Sequence, residues 1–140
     1  MVHFSDGLGI DGVTLARRAG EGVFGDAGND TLIGGAGDDS YIVDHAGDLV
    51  QDTGDSIDIV HSWVSVVMKA GYQLHLMGSA PLDATGTAGY DTIFGNAADN
   101  VLRGGGGSDR LEGLGGNDTF YGAEGSAMWG GAGNDTYHIT

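Results

Sequence analysis

The chain has no cysteine, only five lysines and arginines, and no run of eighteen apolar residues in its 140 positions. Each absence narrows the field. Without cysteine there is no disulfide framework, so an extracellular chain of this size needs some other staple, and metal clips can fill that role. Five cations against 20 carboxylates leave a net charge of −15. Nucleic acid is therefore not an expected partner, because phosphate contacts need Lys and Arg. The lack of a long apolar run excludes a membrane-spanning helix, and the N-terminus lacks the charged-then-apolar pattern of a signal peptide. Catalytic signatures are missing too: there is no G-x-S-x-G elbow, H-E-x-x-H helix or P-loop. His3, His45, His61, His75 and His138 are scattered without metal-ligand spacing, so no zinc site is expected. Acid–base catalysis would need a cleft that drives two carboxyl pKa values apart, and a narrow repeat fold offers none. This segment is not expected to be an enzyme.

What the chain has in abundance is glycine (29 residues) and aspartate, which supplies 17 of the 20 acidic side chains. They recur with a period of nine. Gly34-Gly35-Ala36-Gly37-Asp38-Asp39-Ser40-Tyr41-Ile42 follows the pattern G-G-x-G-x-D-x-U-x, where U is a large apolar residue. The stretches Gly104–Glu112 and Gly130–His138 repeat it, and looser copies begin at Gly25, Gly86, Gly95 and Gly113. The eight-residue stretch Gly122–Trp129 reads as a copy that lost its aspartate.

The composition of one copy explains its shape. Six residues turn sharply, which glycine permits by reaching φ > 0 without steric cost. Three residues then form a short strand whose middle residue points inward. Two copies make one coil of a flattened helix, right-handed as parallel crossovers are, and copies two apart stack. The fold class expected is an all-β, right-handed parallel β-roll or β-helix solenoid. One inner ladder should hold Ile93, Leu111 and Met128, and the opposing ladder Leu102, Phe120 and Tyr137.

Stacked turns also bring oxygens together. Each carboxylate lies beside main-chain carbonyls of the neighbouring coil, an all-oxygen cage that suits calcium with its six to eight flexible ligands better than octahedral magnesium. The expected side-chain ligands are Asp30, Asp39, Asp91, Asp109, Asp118 and Asp135, with Asn100 making a weaker site. The expected main-chain contributors are Gly34, Gly86, Gly104, Gly106, Gly113, Gly115, Gly130 and Ala132. Asp118 with Asp135, and Asp91 with Asp109, form the best pairs, and the missing aspartate near Ala127 should leave Asp109 without a partner on that side. Several Ca2+ ions are the expected cofactor. Because each glycine costs about 0.5–1 kcal/mol of backbone entropy relative to Ala and the carboxylates repel, the metal-free chain should be expanded, and binding free energy becomes folding free energy.

With these motifs the chain resembles the RTX (repeats-in-toxin, hemolysin-type) calcium-binding repeat proteins, whose nonapeptides form a calcium-bound parallel β-helix. The resemblance implies a β-roll module of a larger secreted bacterial protein, exported by type I secretion and located outside the cell or at its surface. It divides the chain into a degenerate strand and turn segment (1–24), a first repeat block (25–42), a linker that continues the solenoid (43–85) and a second block (86–140). Within 1–24, Val2–Gly7 reads as a strand and turn, Leu15–Arg18 as a brief helix or loop, and Arg17 and Arg18 as a cap on the acidic stack. In the linker, Val64–Val66 and Leu74–Gly78 read as alternating strands, and Asp44, Asp48 and Asp58 are candidates for an additional ion. Three roles fit: a calcium-dependent folding scaffold; the accessory C-terminal module of a secreted protease, lipase or polysaccharide-modifying enzyme; or an adhesion module. Other domains of the parent chain are expected partners, and an outward cluster of Phe94, Tyr121 and Trp129 is a candidate docking surface for a glycan or partner.

Overall fold

The computed structural model describes residues 14–16, 22–25, 28–51, 57–69 and 72–139. The Val2–Gly7 strand, the Arg17 and Arg18 cap, and Asp26 in the Gly25 copy lie outside the described residues. Short runs of β-branched, aromatic and aliphatic residues between glycine-rich turns favour brief strands. Strands are the regular structure found; among the described residues there is no helix, hence none long and apolar enough to cross a membrane.

Successive strands alternate between two faces of a solenoid. One face is a seven-stranded parallel sheet of β2 (Gly22–Phe24), β4 (Ser40–Val43), β6 (Ile59–Ser62), β8 (Gln73–Leu76), β10 (Thr92–Phe94), β12 (Arg110–Gly115) and β14 (Ala127–Ala132). The other face is split. β1 (Thr14–Ala16), β3 (Thr31–Ile33) and β5 (Leu49–Gln51) form one sheet. β7 (Val66–Val67), β9 (Asp83–Thr85), β11 (Val101–Arg103), β13 (Thr119–Gly122) and β15 (Thr136–Ile139) form another. Copies two apart stack in register, as the nonapeptide period requires: Ile93 lies opposite Leu111, and Leu102 opposite Phe120.

The core is the pair of inner ladders. Val23, Tyr41, Val60, Leu74, Ile93 and Leu111 line one, and Leu32, Ala84, Leu102 and Phe120 the other, all essentially inaccessible to water. Burying a side chain of this size is worth about 1.5–3 kcal/mol, yet each coil contributes only two. Two ladder residues hold the expected register but are less buried than the rest. Tyr137 keeps its register, stacked on Phe120 with ring centroids 5.0 Å apart, but it is 48% exposed because no further strand pairs with β15. Met128, on edge strand β14, is only partly buried for the same reason.

Two local expectations also change. Leu15 and Ala16 belong to strand β1, not to a helix, because they pair with Leu32 and Ile33. The linker strand begins at Val66 instead of Val64, since the Ser62 hydroxyl donates to Val64 O at 2.7 Å and holds Val64 in a turn. That short turn shifts β7 off the frame of β5, and the two strands do not pair. A cleft of about 500 Å3 opens there, lined in part by Val50, Val66, Met68, Tyr72 and Leu74.

Candidate metal centre

The residue immediately preceding a strand holds the same place in every turn. It is Asp30, Asp39, Asp48 and Asp58 before β3 to β6, and Asp91, Asn100, Asp109 and Asp118 before β10 to β13. Asp135 precedes β15. Ser65, Tyr72, Leu82 and Ser126 occupy the place before β7, β8, β9 and β14. The turns therefore form two acidic rails, one along each edge of the solenoid.

Within each rail the main-chain N–H of one aspartate donates to the carboxylate one coil further on. Asp39 N reaches Asp58 Oδ1 at 2.8 Å, and Asp91 N reaches Asp109 Oδ1 at 3.2 Å, on the first edge. On the second edge Asp30 N bonds Asp48 Oδ1 (3.0 Å), Asn100 N bonds Asp118 Oδ1 (2.8 Å) and Asp118 N bonds Asp135 Oδ1 (3.0 Å). The expected pairs Asp91–Asp109 and Asp118–Asp135 are thus brought together. Asp48 and Asp58 hold full repeat positions despite their irregular surroundings, whereas Asp44 is an exposed turn residue whose N–H bonds Asp48 Oδ2.

The second oxygen of each carboxylate faces inward to the turn. In three turns it meets a main-chain N–H four residues earlier: Gly35 N to Asp39 Oδ2 (2.8 Å), Asp44 N to Asp48 Oδ2 (3.2 Å) and Thr87 N to Asp91 Oδ2 (2.6 Å); the amide oxygen of Asn100 meets Asn96 N in the same way (2.8 Å). Asp91 Oδ1 and Asp118 Oδ2 are buried with no hydrogen-bond partner. An ionised oxygen buried without a donor is costly. Asp118 Oδ2 instead stands near a main-chain oxygen of the next coil. At Gly113, an added Cβ would strike Asp118 Oδ2 and lie 2.7 Å from Gly130 O; at Gly86 it would lie 2.7 Å from Asp91 Oδ2 and strike Gly104 O. Glycine leaves each cradle open, and carboxylate and carbonyl oxygens of successive coils converge on it. Such a donor set, with no nitrogen or sulfur, suits a hard cation. Among the described residues no three His, Cys, Asp or Glu side chains gather at one point, so the carbonyls are an essential part of the set.

Other expected contributors fall differently. Gly34 N donates to Gln51 O (3.1 Å), and Gly106 N to Thr87 O (3.0 Å), across coils. Gly115 and Ala132 pair with each other at the ends of β12 and β14. Gly104 flanks Asp109 Oδ2, and Gly130 flanks Asp135 Oδ2.

Two turns replace charge with neutral hydrogen bonds. Asn100 Nδ2 donates to Leu82 O (2.9 Å) and to Asn96 Oδ1 (3.2 Å), while Asn96 Nδ2 donates to Ala80 O (2.8 Å). Here amide hydrogens occupy the role that a cation plays between other coils: they satisfy a nest of oxygens. The amide of Asn100 is thus engaged as donor, and its Oδ1 accepts from Asn96 N. On the side where Asp109 has no aspartate neighbour it meets a hydroxyl: its N–H bonds Ser126 Oγ (3.1 Å), and that hydroxyl reaches Asp109 Oδ2 (3.4 Å). Thr87, Asn96 and Ser126 were not foreseen. The signal for Thr87 and Asn96 is position two of the nonapeptide, whose N–H faces the carboxyl or amide four residues on.

Electrostatics follow from burial. Burial pushes the Asp109 carboxyl above its ordinary value; the charge of Asp91 adds to the rise, and hydrogen bonds from Asp91 N–H and Ser126 oppose it. Burial likewise raises Asp118, against the Asn100 N–H bond and with the help of the Asp135 and Asp99 charges. A nearby divalent cation would reverse both.

The outward positions do not form the expected single patch. Phe94 and Trp129 lie on the seven-stranded face, where Arg110 sits over both rings at 5.8 and 5.2 Å. Tyr121 lies on the opposite face, between Arg103 and His138.

No curated protein and no solved structure matches the chain. A family model does, that of the RTX calcium-binding nonapeptide repeat, in four copies at residues 23–44, 83–111, 94–126 and 127–138. The matched stretches span more than half of the sequence and carry the glycine cradles and the aspartates of both rails other than Asp48 and Asp58, and the chain belongs to the RTX calcium-binding nonapeptide repeat family, as a calcium-binding β-roll.

Proposed function

We propose that this β-roll is a folding scaffold within a secreted bacterial protein, ordered by calcium outside the cell. The carboxylates of Asp30, Asp39, Asp91, Asp109, Asp118 and Asp135 would serve as ligands together with glycine carbonyls of adjacent coils. The observation that carries this reading is the buried carboxylate oxygen Asp118 Oδ2, which finds no donor and stands with the Gly130 carbonyl around the Gly113 cradle. Bound calcium supplies the charge that offsets carboxylate repulsion. Asp48 and Asp58 extend the ligand series, since they repeat the carboxylate-to-N–H geometry of the other pairs.

Extracellular modules typically bind calcium at about 10⁻⁴–10⁻³ M, so the chain would stay unfolded in calcium-poor cytosol and order itself after export. On this reading the repeat blocks 25–42 and 86–140 are the calcium-dependent parts, 43–85 bridges them, and 1–24 is a degenerate lead-in. Service beside an enzymatic domain of a longer chain is compatible with this scaffold role.

The test is far-UV circular dichroism of the chain titrated separately with calcium and magnesium. Steep growth of β signal with calcium but not magnesium is expected. An equal response to both ions, or none to calcium, overturns the reading.

A further inference from the structure

The two acidic rails share a gap. Between Asp58 and Asp91 the residues preceding the strands are Ser65, Tyr72 and Leu82, none of them charged. Strands β6 and β8 cross this gap, and on their outer face they place His61 directly opposite His75. The fourteen-residue separation hid the pair from any sequence-spacing rule. Register sets it: in-register neighbours on adjacent strands stand about 4.8 Å apart, and the ring centroids here are 5.4 Å apart, tilted by 42°.

We propose that His61 and His75 form a two-imidazole site for a divalent transition-metal ion of the zinc or copper(II) class. Two nitrogens sharing such an ion at about 2.0–2.1 Å must lie side by side, which adjacent rungs of a parallel sheet provide. His61 Nδ1 is buried and has no hydrogen-bond partner. The ring of His75 is held by stacking on Phe94, with centroids 4.5 Å apart. Burial, with the neighbouring His61, lowers the pKa of His75 and favours the neutral imidazole that ligation requires. Water would complete the coordination, because the protein offers two nitrogens and the site lies on an outer sheet face.

Imidazole selects this class of ion and the oxygen cradles select calcium, so the two kinds of site are orthogonal. The imidazole site would tie β6 to β8 where no aspartate pair does so. It does not depend on the calcium assignments above.

The test uses the full chain saturated with calcium, which occupies the carboxylate rails. Zinc is titrated calorimetrically into the parent protein, His61→Asn, His75→Asn and, as control, His45→Asn, an exposed turn residue whose Nδ1 accepts from Gly47 N. The parent and the control should bind zinc alike. Each pair variant should bind at least about ten-fold more weakly, the low end of the loss seen even for outer-shell partners. Because a variant could lose structure, zinc-induced shifts of the imidazole NMR signals and two-nitrogen coupling in the copper(II) EPR spectrum are read on the parent protein. Parent spectra without shifts at His61 and His75, or zinc affinity unchanged in His61→Asn/His75→Asn, would overturn the proposal.

Discussion

Replacing Gly113 by Ala adds one methyl group and removes no charge, yet it should damage the fold more than most core changes of that size. The new Cβ would collide with Asp118 Oδ2 and sit 2.7 Å from Gly130 O. The second of these is backbone of the next coil and cannot swing aside, so the coils must separate or the methyl must fill the cradle. Overpacking of this kind costs about 1–3 kcal/mol. With each 1.4 kcal/mol worth a factor of ten, the folded-to-unfolded ratio at saturating calcium should fall by about 5- to 140-fold. Gly89→Ala is the control, because its Cβ would meet only Thr87 Oγ1, at 3.7 Å. That change should be neutral or stabilise by about 0.4–1 kcal/mol through the unfolded chain. Urea unfolding of both variants at saturating calcium, followed by far-UV circular dichroism, reads the difference as a shift in midpoint. Coincident midpoints for Gly113→Ala and Gly89→Ala would refute the cradle as described.

Three further outcomes follow from the rails. Asp118→Asn should raise the calcium concentration needed for half-folding, whereas Glu124→Gln, at an exposed turn position, should leave it unchanged; calcium titrations of the two variants decide. Asn100→Asp removes the amide donors to Leu82 O and Asn96 Oδ1, so its urea midpoint should fall by the equivalent of about 1–3 kcal/mol at limiting calcium and recover as calcium is raised. Acid should act with opposite sign on the two states. The carboxyls of Asp109 and Asp118 titrate above 3.8 in the metal-free fold, so that fold is favoured as pH drops through their raised values. Calcium binding needs the ionised forms, so the calcium midpoint should rise over the same pH interval. Compactness by small-angle scattering and calcium titration, both against pH, check the pair of signs.

The repeat period made most of this architecture readable in advance. Alternation within Thr92–Phe94 and Val101–Arg103 fixed which residue faces inward, and the two-copy coil fixed that Ile93 meets Leu111. What escaped notice depends on contacts that no period encodes. Asn100 reads as a weaker ligand and Asn96 as an ordinary turn residue, but their amide hydrogens satisfy carbonyls that would otherwise call for a cation. Ser126 supplies a hydroxyl where an aspartate was missed. The turn at Ser62–Val64 is shorter than a repeat, and this displaces β7 and opens the second face. Where turns vary in length, sequence separation stops predicting neighbours, which is why His61 and His75 looked unrelated. Exposure of Tyr137 reflects the place of β15 at the edge of its sheet, a property of position and not of residue type.

The most direct measurement is a thermal melt of the chelator-treated chain, monitored by circular dichroism beside a calcium-saturated sample. A sparse core of two apolar residues per coil, threaded through 29 glycines and mutually repelling carboxylates, should give no cooperative transition without the ion and a sharp one with it. A cooperative melt of equal midpoint in both samples would contradict the account.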